Sequence, residues 1–418
     1  MMYVGILVII GVVVLLVKQK DTRTVLIGAG ILLALLSGNP MLALDAFAER
    51  MTAGGLIQAI CSVMGFATVL KLTKCDRHLV DLVVGGLSKY TALLIPGAAL
   101  ATFFINISLT SAAGTSAAVG AIFIPMMIQA GVAPAMAASA VMLGTFGSIL
   151  SPGNAHNVMI ADMAKVDVME VVAVHFTADL VAIAIGVVSL VIIAKIRKED
   201  KGYVLEGGNE VQQGEVEKAN VLYALVSLVP IIILVLGNSV LPVLKMGVPH
   251  AMLIGAMVAL VATRTNPKDI TKAFFDGMGN AYANVIGIII AAAVFVGGMN
   301  AIGLVDALIE ILLNSPSNIV QFAAAFGPFI LSVIVGSGDA ATIAFNEAVT
   351  PQAAQFGLEM INMGSLANLA GALGRTMSPL AGAAIICASI AKVNPMELAK
   401  RNALGMIIAT TVAMVILL

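Results

Sequence analysis

The chain has 418 residues, 60% of them hydrophobic and 11% charged, with net charge −1 and a mean hydropathy of +1.06. An ordinary soluble domain carries about 25% charged residues, so a water-soluble core of this size is excluded. The balanced charge gives nucleic acid no electrostatic hold, so no nucleic-acid partner is expected. Cys61, Cys75 and Cys387 show neither disulfide nor metal-ligand spacing, and no metal site is expected.

A spanning helix needs about 20 predominantly apolar residues. The hydropathy predicts spans near 2–17, 24–38, 54–70, 134–161, 171–194, 220–237, 248–263, 278–299, 356–391 and 397–418. The first lacks a basic leader and a small-residue cleavage site, and Lys18, Lys20 and Arg23 follow it, so it reads as an uncleaved span. Two intervening segments, near 79–131 and 316–351, read as re-entrant hairpins. With the N-terminus outside, 18 basic residues fall on cytoplasmic connections, Lys89 and Lys218 among them. Only Arg50, Lys165 and Lys245 fall outside. This split predicts a multi-pass protein of the bacterial inner membrane with both termini outside. The segment 197–219, polar and glycine-rich, is predicted to be a cytoplasmic linker between halves 1–196 and 220–418.

The halves resemble each other. Gly144–Pro152 (GTFGSILSP) and Gly371–Pro379 (GALGRTMSP) share G-x-x-G-x-x-x-S-P, each motif lying well inside its own half. Upstream, Ser111–Ser116 (SAAGTS) and Ser337–Thr342 (SGDAAT) align at nearly the same offset, a single-residue indel apart. Each half holds five full spans, an odd number, so the second is predicted to be inverted relative to the first. The expected fold is thus all-α and polytopic, with one re-entrant hairpin and one broken helix per half (134–161 and 356–391). Breaks in a membrane helix expose backbone groups that cost several kcal/mol unless they line a cavity or find partners. Inverted repeats with broken helices build many secondary transporters, with substrate held at the midplane.

On Gly144–Asn157 (GTFGSILSPGNAHN), Gly336–Pro351 (GSGDAATIAFNEAVTP) and Asn362–Pro379 (NMGSLANLAGALGRTMSP), the chain resembles the anaerobic C4-dicarboxylate carriers of the DcuC type, within the ion-transporter superfamily. The resemblance implies an elevator-type secondary transporter, a homodimer in the bilayer, carrying succinate- or fumarate-like dicarboxylates by exchange or ion-coupled symport or efflux. It implies no cofactor beyond a coupling sodium ion or proton. Related divalent-anion/sodium symporters carry Ser-Asn-Thr at both hairpin tips; this chain does not, so sodium coupling is not carried over.

The substrate-binding candidates follow from the tips and breaks. They are Ser111, Gly114, Thr115 and Ser116; Ser151, Pro152, Gly153, Asn154, His156 and Asn157; Ser337, Gly338 and Thr342; and Arg375, Ser378 and Pro379. Arg375 takes the place of Ser148 in the repeat and can hold a carboxylate bidentately; its other reading is a structural ion pair with Asp339. Asp339 and Glu347 are candidates for coupling a proton or cation. His156 is either a donor to substrate or a helix cap. The alternatives are a carrier of another organic anion or amino acid, or a cation/proton antiporter of the same fold. No HExxH, GxSxG or P-loop occurs, which gives no support to an enzyme or a primary pump.

Overall fold

The computed structural model describes residues 2–18, 20–52, 54–87, 93–204, 219–313 and 315–418. Among these the chain is all-α. The first half contains α1 (Met2–Val17), α2 (Thr22–Leu36), α3 (Met41–Arg50), α4 (Gly54–Thr73), α5 (Cys75–Leu87), α6 (Leu94–Ser108), α7 (Ala112–Gln129), α8 (Pro134–Leu143), α9 (Ala155–Ala164) and α10 (Val168–Arg197). A 3-10 segment, Gly144–Leu150, continues α8. The second half contains α11 (Val221–Val226), α12 (Val229–Ser239), α13 (Val248–Thr263), α14 (Pro267–Ala281), α15 (Gly287–Ala301), α16 (Leu304–Leu313), α17 (Ser317–Val335), α18 (Gly338–Ala348), α19 (Met360–Thr376), α20 (Gly382–Ala391) and α21 (Pro395–Leu417). A π turn, Tyr282–Ile286, joins α14 to α15.

Seven helical stretches of the described residues are long and apolar enough to cross a bilayer. Their ends are set by local chemistry. Asp21, Ser111, Asn154, Asp167, Asn220, Asn266, Ser337 and Asn394 each accept a backbone N–H at a helix start. Such a cap contributes about 1 kcal/mol.

The helix bounds differ from the hydropathy reading in four places. The span expected at 356–391 starts only at Met360, because 350–356 forms a 3-10 turn before it. The first hairpin is narrower than 79–131: its arms are α6 and α7, with α5 a separate helix. The span at 220–237 is interrupted between α11 and α12, at Ser227 and Leu228. Helices α3, α5, α14 and α16 were not expected. Charged residues along α3, α5 and α14 keep their hydropathy low, and α16 is apolar but too short to span. Lys89, Lys218 and linker residues 205–218 lie outside the described residues. The start of the expected linker is fastened down, since Glu199 pairs with Arg401 and Tyr203 N donates to Gly131 O at 2.8 Å.

Packing sorts the helices into two bundles. One joins α2–α5 to α11–α15; the other joins α6–α10 to α17–α21. Contacts of α15 with α18, α4 with α9 and α5 with α6 connect them. In the second bundle α7, α8, α9 and α10 begin at Ala112, Pro134, Ala155 and Val168. Helices α18, α19, α20 and α21 begin at Gly338, Met360, Gly382 and Pro395, so all four starts recur at one offset to within a single position.

The shared G-x-x-G motif has a packing role in both halves. A Cβ on Gly147 would overlap Phe103 O of α6, and one on Gly374 would overlap Phe329 O of α17. Phe103 and Phe329 are themselves counterparts at that offset, so the same backbone-to-backbone seat occurs twice. Each broken helix thereby lies directly on the arm of its hairpin.

Candidate substrate-binding site

The two hairpin turns and the two helix breaks meet inside the second bundle. Ser111 caps α7, accepting from Gly114 N at 3.1 Å, and Ser337 caps α18, accepting from Ala340 N at 3.3 Å. The second turn needs its glycine: Gly336 has φ +78, and a Cβ there would press on the Leu380 backbone of the second break. In the first break, Asn154 caps α9 by accepting from His156 N at 2.9 Å.

His156 Nε2 lies 3.0 Å from Asp339 Oδ1, so the first break reaches the second hairpin. The imidazole is buried, whereas the Asp339 side chain is 74% exposed to a crevice of about 350 Å³. Ser111, Gly153, Asn154 and Ile343 share that crevice, and α4 and α15 close it from the other bundle through Val63 and Ile288. Behind Asp339 a smaller cleft, about 30 Å³, is lined by Ser148, Gly338, Thr342, Asn368 and Arg375. That volume holds about one water.

Arg375 is not the ion-pair partner of Asp339. Its Nη2 donates to Thr145 O at 2.9 Å, and its Nη1 is buried with no hydrogen-bond partner. A buried guanidinium donor without a partner is costly unless something accepts from it. The arrangement leaves one donor nitrogen of a permanent cation without a partner in a polar cleft, which suits a carboxylate ligand.

The remaining candidates divide by role. Asn154, His156, Gly338, Thr342 and Arg375 line the small cleft, and Ser111 and Gly153 the crevice. Gly114, Thr115, Ser116, Ser151, Pro152, Asn157, Ser337, Ser378 and Pro379 line neither. Of these, Thr115 donates to Leu109 O at 2.9 Å, and Ser378 donates to Val333 O at 2.7 Å while accepting from Leu380 N. Both fasten a turn or a break to its hairpin arm. Glu347 lies away from Asp339 and pairs with Arg50 at the end of α3, across the two bundles. Among the described residues no cluster of three or more His, Cys, Asp or Glu could hold a metal.

Sequence reasoning missed Asn106, Asn368, His175 and Asp179. Asn106 Oδ1 accepts from Ser148 N at 2.7 Å, and its Nδ2 donates to Leu109 O and Thr115 Oγ1. It thus knits the first hairpin turn to the first break. A lone asparagine in an apolar run was the available signal. His175 and Asp179 were also visible, as two ionisable groups at i and i+4 within the span predicted at 171–194.

With this geometry in view, the comparison with known proteins is specific. A family model described as C4-dicarboxylate anaerobic carrier, DcuC, matches residues 2–418. The chain belongs to the DcuC family. It is therefore a multi-pass membrane carrier, of a family that implies no cofactor. It is 47% identical over 272 residues to a Haemophilus influenzae protein described as an uncharacterized transporter, a match covering 62% of this chain and 97% of that one. It is 24% identical over 441 residues to the anaerobic C4-dicarboxylate transporter DcuC of Escherichia coli K12, covering 99% of this chain and 95% of that one. The crystal structure of the Alcanivorax borkumensis YdaH transporter superposes with a TM-score of 0.58 at 12% identity, over 89% of this chain and 86% of that one. That likeness concerns the fold alone.

Proposed function

We propose that the protein is a secondary carrier of C4-dicarboxylates in the bacterial inner membrane, working by elevator-type alternating access. The observation that carries this reading is Arg375 Nη1, an unpartnered buried donor in a cleft formed where both breaks meet the second hairpin. One substrate carboxylate binds Arg375; the amides of Asn154 and Asn368 are available to the rest of the molecule, while the Thr342 hydroxyl donates to Ala367 O at 3.4 Å. The bundle of α6–α10 and α17–α21 is the moving part, and the other bundle is the scaffold, where a homodimer contact would form. The recurrence of four helix starts at one offset supports two repeats, the five spans expected in each half support their inversion, and the split of basic residues supports both termini outside.

Coupling is assigned to Asp339. A dicarboxylate brings two negative charges to a site whose fixed charges, Arg375 and Asp339, cancel. A proton or sodium ion at the exposed Asp339 carboxylate offsets part of that repulsion. Exchange of one dicarboxylate for another needs no such ion.

The same carboxylate favours a second reading, an amino acid carrier in which Asp339 pairs with a substrate ammonium. Labelled succinate uptake into proteoliposomes preloaded with succinate separates the two. Block by external fumarate, with no block by an amino acid, supports the dicarboxylate carrier. Uptake of a labelled amino acid in place of succinate would overturn it.

A further inference from the structure

A buried polar chain runs from the cleft into α10. His175 and Asp179 stand one turn apart on this helix, both side chains fully buried, with His175 Nδ1 2.6 Å from Asp179 Oδ2. His175 Nε2 lies 3.2 Å from Asn157 Oδ1. The same oxygen accepts from Asn368 Nδ2 at 3.0 Å, and Asn368 lines the cleft beside Arg375. An ionisable pair inside a membrane helix is costly and calls for a role.

The hydrogen bonds fix where the protons are. Asn157 Nδ2 donates to Ile149 O at 2.6 Å and to Ser151 O at 3.1 Å, both carbonyls of the broken helix. The amide cannot be turned over without setting oxygen against oxygen, so Oδ1 faces the imidazole. Oδ1 only accepts, so Nε2 must carry a hydrogen. Nδ1 then either donates to an ionised Asp179 or accepts from a protonated one. In both cases one proton lies between Nδ1 and Oδ2, and the pair is neutral overall. Asp179 Oδ1 is buried without a partner, which costs far more for an ionised carboxylate than for a neutral acid. The proton therefore belongs on Asp179.

Among the described residues no other ionisable group competes for this pair. On the elements packed against α10, these are His156 and Asp162 of α9, Arg375 of α19, and Glu397, Lys400 and Arg401 of α21. Each has another partner: His156 has Asp339, Asp162 has Lys165, Arg375 has Thr145 O, and the α21 groups pair with one another and with Glu199.

We infer that His175 and Asp179 are a neutral positioning pair, holding a proton that is not exchanged during transport, which orients Asn157 and through it Asn368 at the substrate cleft. The inference rests on the reading of that cleft as the dicarboxylate site. It differs from a relay in its expectation for Asp179→Asn. An asparagine amide there still donates to Nδ1 and keeps the hydrogen on Nε2, whereas Asp179→Leu leaves Nδ1 alone.

The test measures succinate exchange between pH 6 and 8.5 in proteoliposomes, together with nitrogen-15 spectra of histidine-labelled protein assigned with His175→Gln. Asp179→Asn is expected to keep KM within about twofold and the wild-type pH profile, and Asp179→Leu to raise KM about tenfold or more. The spectra should show a protonated Nε2 and an unprotonated Nδ1 on His175 in the wild type and in Asp179→Asn. An Asp179→Asn protein with an altered pH profile would show that the proton is exchanged and would overturn the inference. So would an unchanged KM in a folded Asp179→Leu. If the leucine variant does not fold, the asparagine variant and the spectra decide alone. Absence of succinate exchange in the wild type would count against the carrier reading instead; a proton on Nε2 with none on Nδ1 would still uphold the neutral pair, and a proton on Nδ1 would overturn it.

Discussion

His156 and Asp339 lie 183 positions apart in the chain and 3.0 Å apart in space, joining the first broken helix to the second hairpin. Since the carboxylate is exposed to the crevice and the imidazole is buried, the contact ties a solvent-facing charge to the interior of the bundle. The pair stands between the open crevice and the cleft that holds Arg375.

Arg375→Ala should lower succinate exchange by about a hundredfold, the equivalent of ~2.7 kcal/mol, with the protein still monodisperse in detergent. Arg375→Lys keeps the charge but not the bidentate fork, so it should retain part of the activity. Wild-type exchange by a folded alanine variant would remove Arg375 from the binding site.

Asp339→Asn removes the charge proposed to couple transport and keeps a hydrogen-bond partner for His156. Exchange of internal for external dicarboxylate should survive, while uptake driven by a pH or sodium gradient should be lost. Gradient-driven accumulation by this variant at the wild-type level would show that the coupling ion binds elsewhere.

The twin glycine seats predict matched damage. Gly147→Ala and Gly374→Ala each push a methyl into a backbone carbonyl, at Phe103 and Phe329 respectively. Overpacking of this kind costs about 1–3 kcal/mol. Thermal unfolding in detergent should show both variants melting several degrees below the wild type; Gly28→Ala, where a Cβ meets open space, should not.

Arg50 and Glu347 connect α3 to α18 across the two bundles. If one bundle moves against the other, this contact must break in every cycle. Single neutralisation of either residue should change the exchange rate with little effect on KM, and the double variant should match the singles. Additive effects of the two substitutions, measured as a double-mutant cycle, would mean that the residues act independently.

The sequence made some features legible and hid others, for physical reasons. Gly, Pro and polar residues cannot face lipid inside a span, so the breaks at Ser151–Asn157 and around Ser378 could be read directly. The segments at Ser111–Ser116 and Ser337–Thr342 could be read as hairpin tips from their matching positions in the two halves. Helices α3 and α14 escaped because Asp45, Glu49, Lys268, Asp269 and Asp276 pull their hydropathy down, although each is amphipathic. Partner choice escaped altogether. Arg375 turns to Thr145 O, Glu347 to Arg50 and Asp339 to His156, and each pairing depends on how distant helices cross.

The fastening of residues 199–203 to the second bundle also sets the length of one tether between the two bundles. Tyr203 is held to Gly131, and Asn220 opens α11 while its N–H reaches His78 of α5. The seventeen steps from Tyr203 to Asn220 can span at most about 60 Å when fully extended. The hydrocarbon core of a bilayer is about 30 Å thick. This segment is thus long enough to cross the hydrocarbon core, and a shorter covalent leash is the one between α5 and α6, where the seven steps from Leu87 to Leu94 reach at most about 25 Å.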